Sequence, residues 1–169
     1  MHEASLPGVN ASDFRAALSR WASGVAIVSV RDAQGLAATT VSSFSSLSLS
    51  PPLVMVALAE GSQTLERVKG SGRFTVSLLA AGQQEVASRC AKRAADASTF
   101  DEHGHVRGSL ALLACTTHDL RRYGDHLLLV GQVESLQLGA GGTPLLYWER
   151  GYRALAQLPA PTGTEKAQP

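Results

Sequence analysis

The chain has 169 residues, 44% of them hydrophobic, and its 15 basic against 14 acidic side chains leave a net charge of +1. That length suits one domain with its own core, and a mean hydropathy of +0.03 argues against a disordered chain. The balanced charge leaves no electrostatic footprint for nucleic acid, and no apolar run approaches the roughly 18 residues that span a bilayer.

Residues 1–11 read as a lead-in broken by Pro7 and Gly8, without the charged-then-apolar pattern of a signal segment. Ser12 is placed to cap a helix in which Phe14, Leu18 and Trp21 fall at i, i+4 and i+7. This stripe reads as core, and Gly24 ends the helix. Residues 25–31, dense in β-branched side chains, read as a strand. Residues 32–35 turn it into a second strand as a hairpin.

The stretch from Gly35 to Leu58 organises the rest. It begins with a row of hydroxyls, Thr39, Thr40, Ser42, Ser43, Ser45 and Ser46. Residues 46–50 alternate polar and apolar, as an extended arm with one wet face and one packed face does. Pro51 and Pro52 then form a rigid corner, because neither φ nor the preceding residue is free. Residues 53–59 form a continuous apolar run, a buried strand. Taken alone, the hydroxyl row fits a polar barrel rim or a site for a phosphate-bearing or polycyclic ligand.

Ser62 and Thr64 precede a short helix over 65–69, so they read either as ordinary caps or as an anion site at its N-terminus. Residues 73–79 are a strand containing Ser77. Residues 83–91 are a helix with Val86, Ala87 and Cys90 inward, followed by Lys92 and Arg93. Residues 94–108 are irregular. His103 and His105 there lack a third ligand for a metal and read as a solvated loop, so no metal is expected. Residues 109–122 and 127–138 are long strands joined by a tight turn with Gly124 and Asp125 at its centre. Gly131 marks a bulge or a close backbone approach. Residues 144–148 and 151–155 are short strands, and the Pro-rich residues 157–169 read as a disordered tail. Cys90 and Cys115 form no metal or redox motif. Short strands joined by turns, with about three helices, predict a mostly β fold: an antiparallel Greek-key barrel. No Gly-rich dinucleotide fingerprint follows a strand.

The block from Gly35 through Ser42-Ser43-Phe44-Ser45-Ser46 to Pro51-Pro52-Leu53 resembles the short-chain flavin reductase family. The likeness continues at residues 74–80, at Gly124-Asp125-His126, and at 144–147 with Gly151-Tyr152, in the family's order. The resemblance implies a split β-barrel of the flavin reductase type over residues 12–156. It also implies hydride transfer from NADH, or NADPH, to FMN or FAD, with the reduced flavin passed to a separate flavin-dependent monooxygenase. A cytoplasmic homodimer is the implied assembly. Under it, Thr39, Thr40, Val41, Ser42 and Ser43 meet the flavin, and Ser62 and Lys92 stand near phosphate. Pro51 and Pro52 shape the pocket wall, and Ser77 takes a contact that an amide makes in relatives. His126 sits at the nicotinamide, and Tyr152 packs on it or closes the pocket. The alternative is a split barrel that holds FMN for electron transfer or ligand binding without rapid NADH turnover.

Overall fold

The computed structural model describes residues 8–156, so the tail over 157–169 and most of the lead-in lie outside the described residues. The first helix, α1 (Ala11–Leu18), is capped by Asn10, whose side chain accepts from Ser12 N at 3.0 Å and Asp13 N at 2.9 Å. The expected cap at Ser12, the extension to Gly24 and the core role of Trp21 are corrected by this. Phe14, Leu18 and Trp21 are 55%, 56% and 75% exposed, so the described residues leave the apolar stripe largely uncovered. Instead, Glu149 N and Trp148 Nε1 donate to the carbonyls of Ser19 and Arg20, which pins the turn after α1 to the far end of the chain.

Ten strands follow: β1 (Ser23–Gly24), β2 (Ala26–Asp32), β3 (Gly35–Val41), β4 (Ser45–Leu49), β5 (Pro52–Ala59), β6 (Arg73–Leu78), β7 (Ala111–Tyr123), β8 (His126–Leu138), β9 (Leu145–Trp148) and β10 (Gly151–Ala154). Two helices lie among them, α2 (Gln63–Ser71) and α3 (Gln84–Ala91). Seven strands form one antiparallel sheet in the order β3-β2-β6-β7-β8-β5-β4, and β1, β9 and β10 form a small second sheet.

One connection dictates the overall shape. β3 and β4 are the two edges of the large sheet, yet only residues 42–44 separate them. Three residues span at most about 10 Å, so the edges must meet and the sheet must roll into a barrel. Ser43 seals the join: its Oγ donates to Ala57 O at 3.1 Å and accepts from Ala57 N at 3.0 Å. The interior is filled accordingly by Val28, Val41, Val56, Phe74 and Leu129 from strands all round the sheet, with Leu65 and Val68 of α2 set into the same core. A second cluster, including Ile27, Ala87, Cys90, Phe100 and Val106, packs α3 and the loop before β7 onto the outer face. Burial there raises the Cys90 thiol to about 11, and burial raises that of Cys115 to about 12.

Several local expectations are refined. β5 alternates, with Val54, Val56 and Leu58 buried and Leu53, Met55 and Ala57 only partly covered, rather than buried on both faces. In β4 the packed face is missing, since Leu47 is 50% and Leu49 is 94% exposed. Its register also shifts between Ser46 and Ser48. At Gly131 both readings meet. A Cβ there would come 2.3 Å from Phe74 Cζ, and the bulge lies directly opposite, between Thr117 and Asp119 of β7.

Candidate functional site

Where the barrel closes, a cleft of about 340 Å³ opens. One wall is the end of β3 and the closing link, Thr39 to Ser43, and the facing wall is the end of β5, Ala57 to Ala59. Thr40 Oγ1 donates to Ala87 O at 2.6 Å, tying this edge to α3. Ser43 is held by its two bonds to Ala57, while Ser42 is exposed at the rim. The row of hydroxyls in the sequence is thus divided between structural fasteners and free rim groups.

At one end of the cleft stands the N-terminus of α2. Ser62 lines the cleft and caps the helix, its Oγ accepting from Leu65 N at 3.3 Å. The first-turn N–H groups of Gln63 and Thr64 have no acceptor within the helix, and with the helix dipole they leave partial positive charge at this point. Arg93 lines the same cleft. It follows α3 with φ at 58°, a left-handed turn that brings its side chain round to the cleft.

His126 completes the lining. It opens β8 as the register partner of Ala59, and its Nδ1 lies 2.8 Å from Asp125 Oδ1. The hydrogen bond from His126 holds the Asp125 carboxyl below the usual carboxylate range. The turn is braced from behind. Glu60 N donates to Asp125 O at 3.0 Å, and Arg122 pairs with Glu60 at 2.8 Å. With Nδ1 engaged, Nε2 is the ring nitrogen left to meet a ligand.

Seven of the residues singled out from the sequence, Thr39, Thr40, Val41, Ser42, Ser43, Ser62 and His126, are therefore brought together in one cleft. Five are not. Ser77 is fully buried, and its Oγ accepts from Val106 N at 2.9 Å, so its hydroxyl braces the loop before β7 rather than facing a ligand. Pro51 and Pro52 lie at the opposite end of β5 from Ala59, about 20 Å away at roughly 3.3 Å per residue. They cannot wall the cleft of their own chain. Lys92 is the exposed C-cap of α3, and the basic residue at the cleft is its neighbour Arg93. Tyr152 packs edge-on against Tyr147 with ring centres 5.6 Å apart, on the α3 side of the sheet. Burial raises its phenol pKa. The alanines at 57, 59 and 91, which also line the cleft, carry no motif that marks them from sequence. Among the described residues no group of His, Cys, Asp and Glu could hold a metal ion, and no helix is long and apolar enough to cross a membrane.

The donor set suits a ligand that is planar in one part and phosphorylated in another. Backbone and hydroxyl groups run along one edge, and the N-terminus of α2 and Arg93 supply positive charge to the same cleft. Comparison with known proteins agrees. A family model described as a flavin reductase like domain matches residues 18–156. The chain is 45% identical over 142 residues to the reductase component of 4-hydroxyphenylacetate 3-monooxygenase from Thermus thermophilus, covering 84% of this chain and 95% of that protein. It is 36% identical over 165 residues to an NADH:riboflavin 5′-phosphate oxidoreductase of Streptomyces pristinaespiralis, covering 92% of each. Among solved structures, the styrene monooxygenase flavin reductase of Pseudomonas putida superposes with a TM-score of 0.78 at 32% identity, over 87% of this chain and 99% of that one.

Proposed function

The chain belongs to the flavin reductase-like domain family, and on that footing we propose that it is an NAD(P)H-dependent flavin reductase that carries hydride from NADH to FMN or FAD and supplies the reduced flavin to a separate monooxygenase. The observation that carries this reading is the convergence of Thr39 to Ser43, Ser62, Arg93 and His126 on one cleft. A bound flavin supplies the hydride-accepting ring, and the protein supplies orientation and charge. The backbone and rim hydroxyls of residues 39–43 hold the ring edge and ribityl chain. The N-terminus of α2 and Arg93 hold the phosphate. His126 presents Nε2 to the carboxamide or pyrophosphate of the nicotinamide nucleotide. No acid–base pair is required, because hydride transfer asks only that the reacting carbons and nitrogens be held about 3–3.5 Å apart.

The assembly we assign is a homodimer. Leu47, Leu49, Leu136 and Leu138 are at least half exposed on β4 and β8 of the large sheet, apolar surface that favours association. A second copy related by a two-fold axis would cover these side chains. Cys90 and Cys115 are free thiols, which fits a reducing, cytoplasmic setting.

The test is anaerobic mixing of the protein with excess NADH and FMN or FAD, followed at the flavin absorption band. Repeated turnover of free flavin is expected, and the relative rates name the preferred flavin. Binding without turnover by either NADH or NADPH overturns the reductase reading.

A further inference from the structure

α3 ends two residues before Arg93, and the way it ends places that side chain. Lys92 caps the helix and Arg93 follows with φ at 58°. Ala94 N then donates back to Arg89 O at 2.9 Å, and Arg93 N donates to Cys90 O at 3.2 Å. These two bonds form the Schellman ending, in which the residue after the cap is left-handed. Glycine is the usual occupant, because a Cβ there crowds the backbone. α2 follows that rule and closes on Gly72 at φ 66°. α3 departs from it, with an arginine whose side chain lines the cleft.

A strained turn keeps its shape only where its surroundings fix it. The helix side is fixed. Ala87 and Cys90 are fully buried, and Ala87 O accepts from Thr40 Oγ1 at 2.6 Å on the cleft edge. The exit from the turn is bound to one residue. Arg89 O accepts from Ala94 N, and Arg89 Nε donates to Ala94 O at 3.2 Å. Both polar groups of the Ala94 backbone thus go to Arg89, and Arg93 lies within the loop they close. The Arg89 side chain makes no other hydrogen bond among the described residues, and its acidic neighbours Glu85 and Asp96 stand off at 4.0 Å and 3.9 Å. Exposed pairs at that distance contribute little.

We propose that Arg89 is a positioning residue for the flavin phosphate: by binding both backbone groups of Ala94 it holds the left-handed turn and keeps the Arg93 guanidinium facing the cleft. This role rests on the reading of the cleft as a flavin site. Arg89 is absent from the cleft lining, so it acts on the ligand only through Arg93.

Two substitutions separate the hydrogen bond from the charge. Arg89→Gln keeps an N–H donor at the place of Arg89 Nε, and Arg89→Met has similar reach without a donor; neither carries charge. The experiment is an equilibrium titration of the full chain with FMN and with riboflavin. It covers the wild type, both variants, Arg93→Ala, and Arg93→Ala combined with Arg89→Met. In Arg89→Met the FMN affinity should fall about fivefold, the size of one hydrogen bond, with riboflavin affinity within about twofold. Arg89→Gln should stay within about twofold of the wild type for both ligands. In the Arg93→Ala background Arg89→Met should cost less than about twofold, because the residue it positions is gone. Equal losses in Arg89→Gln and Arg89→Met would show a charge effect and overturn the proposal. An undiminished loss in the Arg93→Ala background would overturn it too. Amide hydrogen exchange at Ala94, measured without ligand, reads the turn itself. Exchange about tenfold faster in Arg89→Met than in Arg89→Gln is expected. Equal exchange overturns the positioning role whatever the cleft binds. Faster exchange together with a wild type that binds no FMN would overturn the flavin reading, and the phosphate role with it, but not the hold of Arg89 on the turn.

Discussion

Ser43 and Ala57 are joined twice, by the Ser43 Oγ donating to Ala57 O and accepting from Ala57 N. A single hydroxyl thus replaces the ladder that would otherwise hold β3's extension against β5, and it does so inside the cleft lining. Ser43→Ala removes both bonds. The expected loss is about 1–2 kcal/mol in urea unfolding, together with a raised KM for flavin. A variant with unchanged stability and unchanged flavin KM would remove Ser43 from both roles.

Arg93 and Lys92 are adjacent, but only Arg93 lines the cleft. Arg93→Ala should therefore weaken FMN binding by roughly tenfold or more, the usual worth of a charge-assisted hydrogen bond. Binding of riboflavin, which lacks the phosphate, should hardly change. Lys92→Ala should leave both ligands alone. Equal weakening of FMN and riboflavin would place Arg93 against the ring rather than the phosphate.

His126 lines the cleft as the register partner of Ala59. His126→Ala should raise the nicotinamide KM or lower turnover by about tenfold, within the range of single polar contacts, and leave flavin affinity within about twofold. Steady-state rates with varied NADH, beside an equilibrium flavin titration, separate the two. Unchanged kinetics with both NADH and NADPH would exclude His126 from the site.

The buried thiols set a limit on alkaline stability. Burial raises Cys90 to about 11 and Cys115 to about 12, while an unfolded thiol loses its proton near 8.5. Above that point the unfolded chain binds fewer protons than the folded one, so stability is complete below about pH 8 and falls as pH rises toward the folded values. Between pH 8 and pH 10 the expected loss is at most about 2 kcal/mol per thiol. In Cys90→Ala the pH-dependent part of the loss should be halved, as read by urea unfolding at the two pH values. The same slope in the variant would show that Cys90 does not titrate on unfolding.

The barrel was legible because its strands carry the period and turn chemistry that strands need. The hairpin at Gly124 and Asp125, the inner face of α3 at Ala87 and Cys90, and the close approach at Gly131 all follow from local rules. The cleft was legible where its lining is one continuous segment, residues 39–43, and at His126 and Ser62. At Lys92 and Arg93 the sequence offered two adjacent cations and not which one turns to the cleft, because a left-handed turn at an arginine leaves no mark in composition. Ser77 misled because a hydroxyl's partner, here Val106 N, is set by a loop 29 residues away. Trp21 misled for a related reason. Helical spacing shows that a face is apolar, and not whether this chain covers it.

The three-residue link between the two edge strands has a kinetic consequence. Residues 39–43 and 57–59 lie close in the chain, so their meeting closes only a short loop and does not wait on the strands that separate them in the sheet. A ligand that binds only the closed seam holds it shut. Occupancy by flavin should therefore govern how long a folded molecule lasts, quite apart from how fast it turns over.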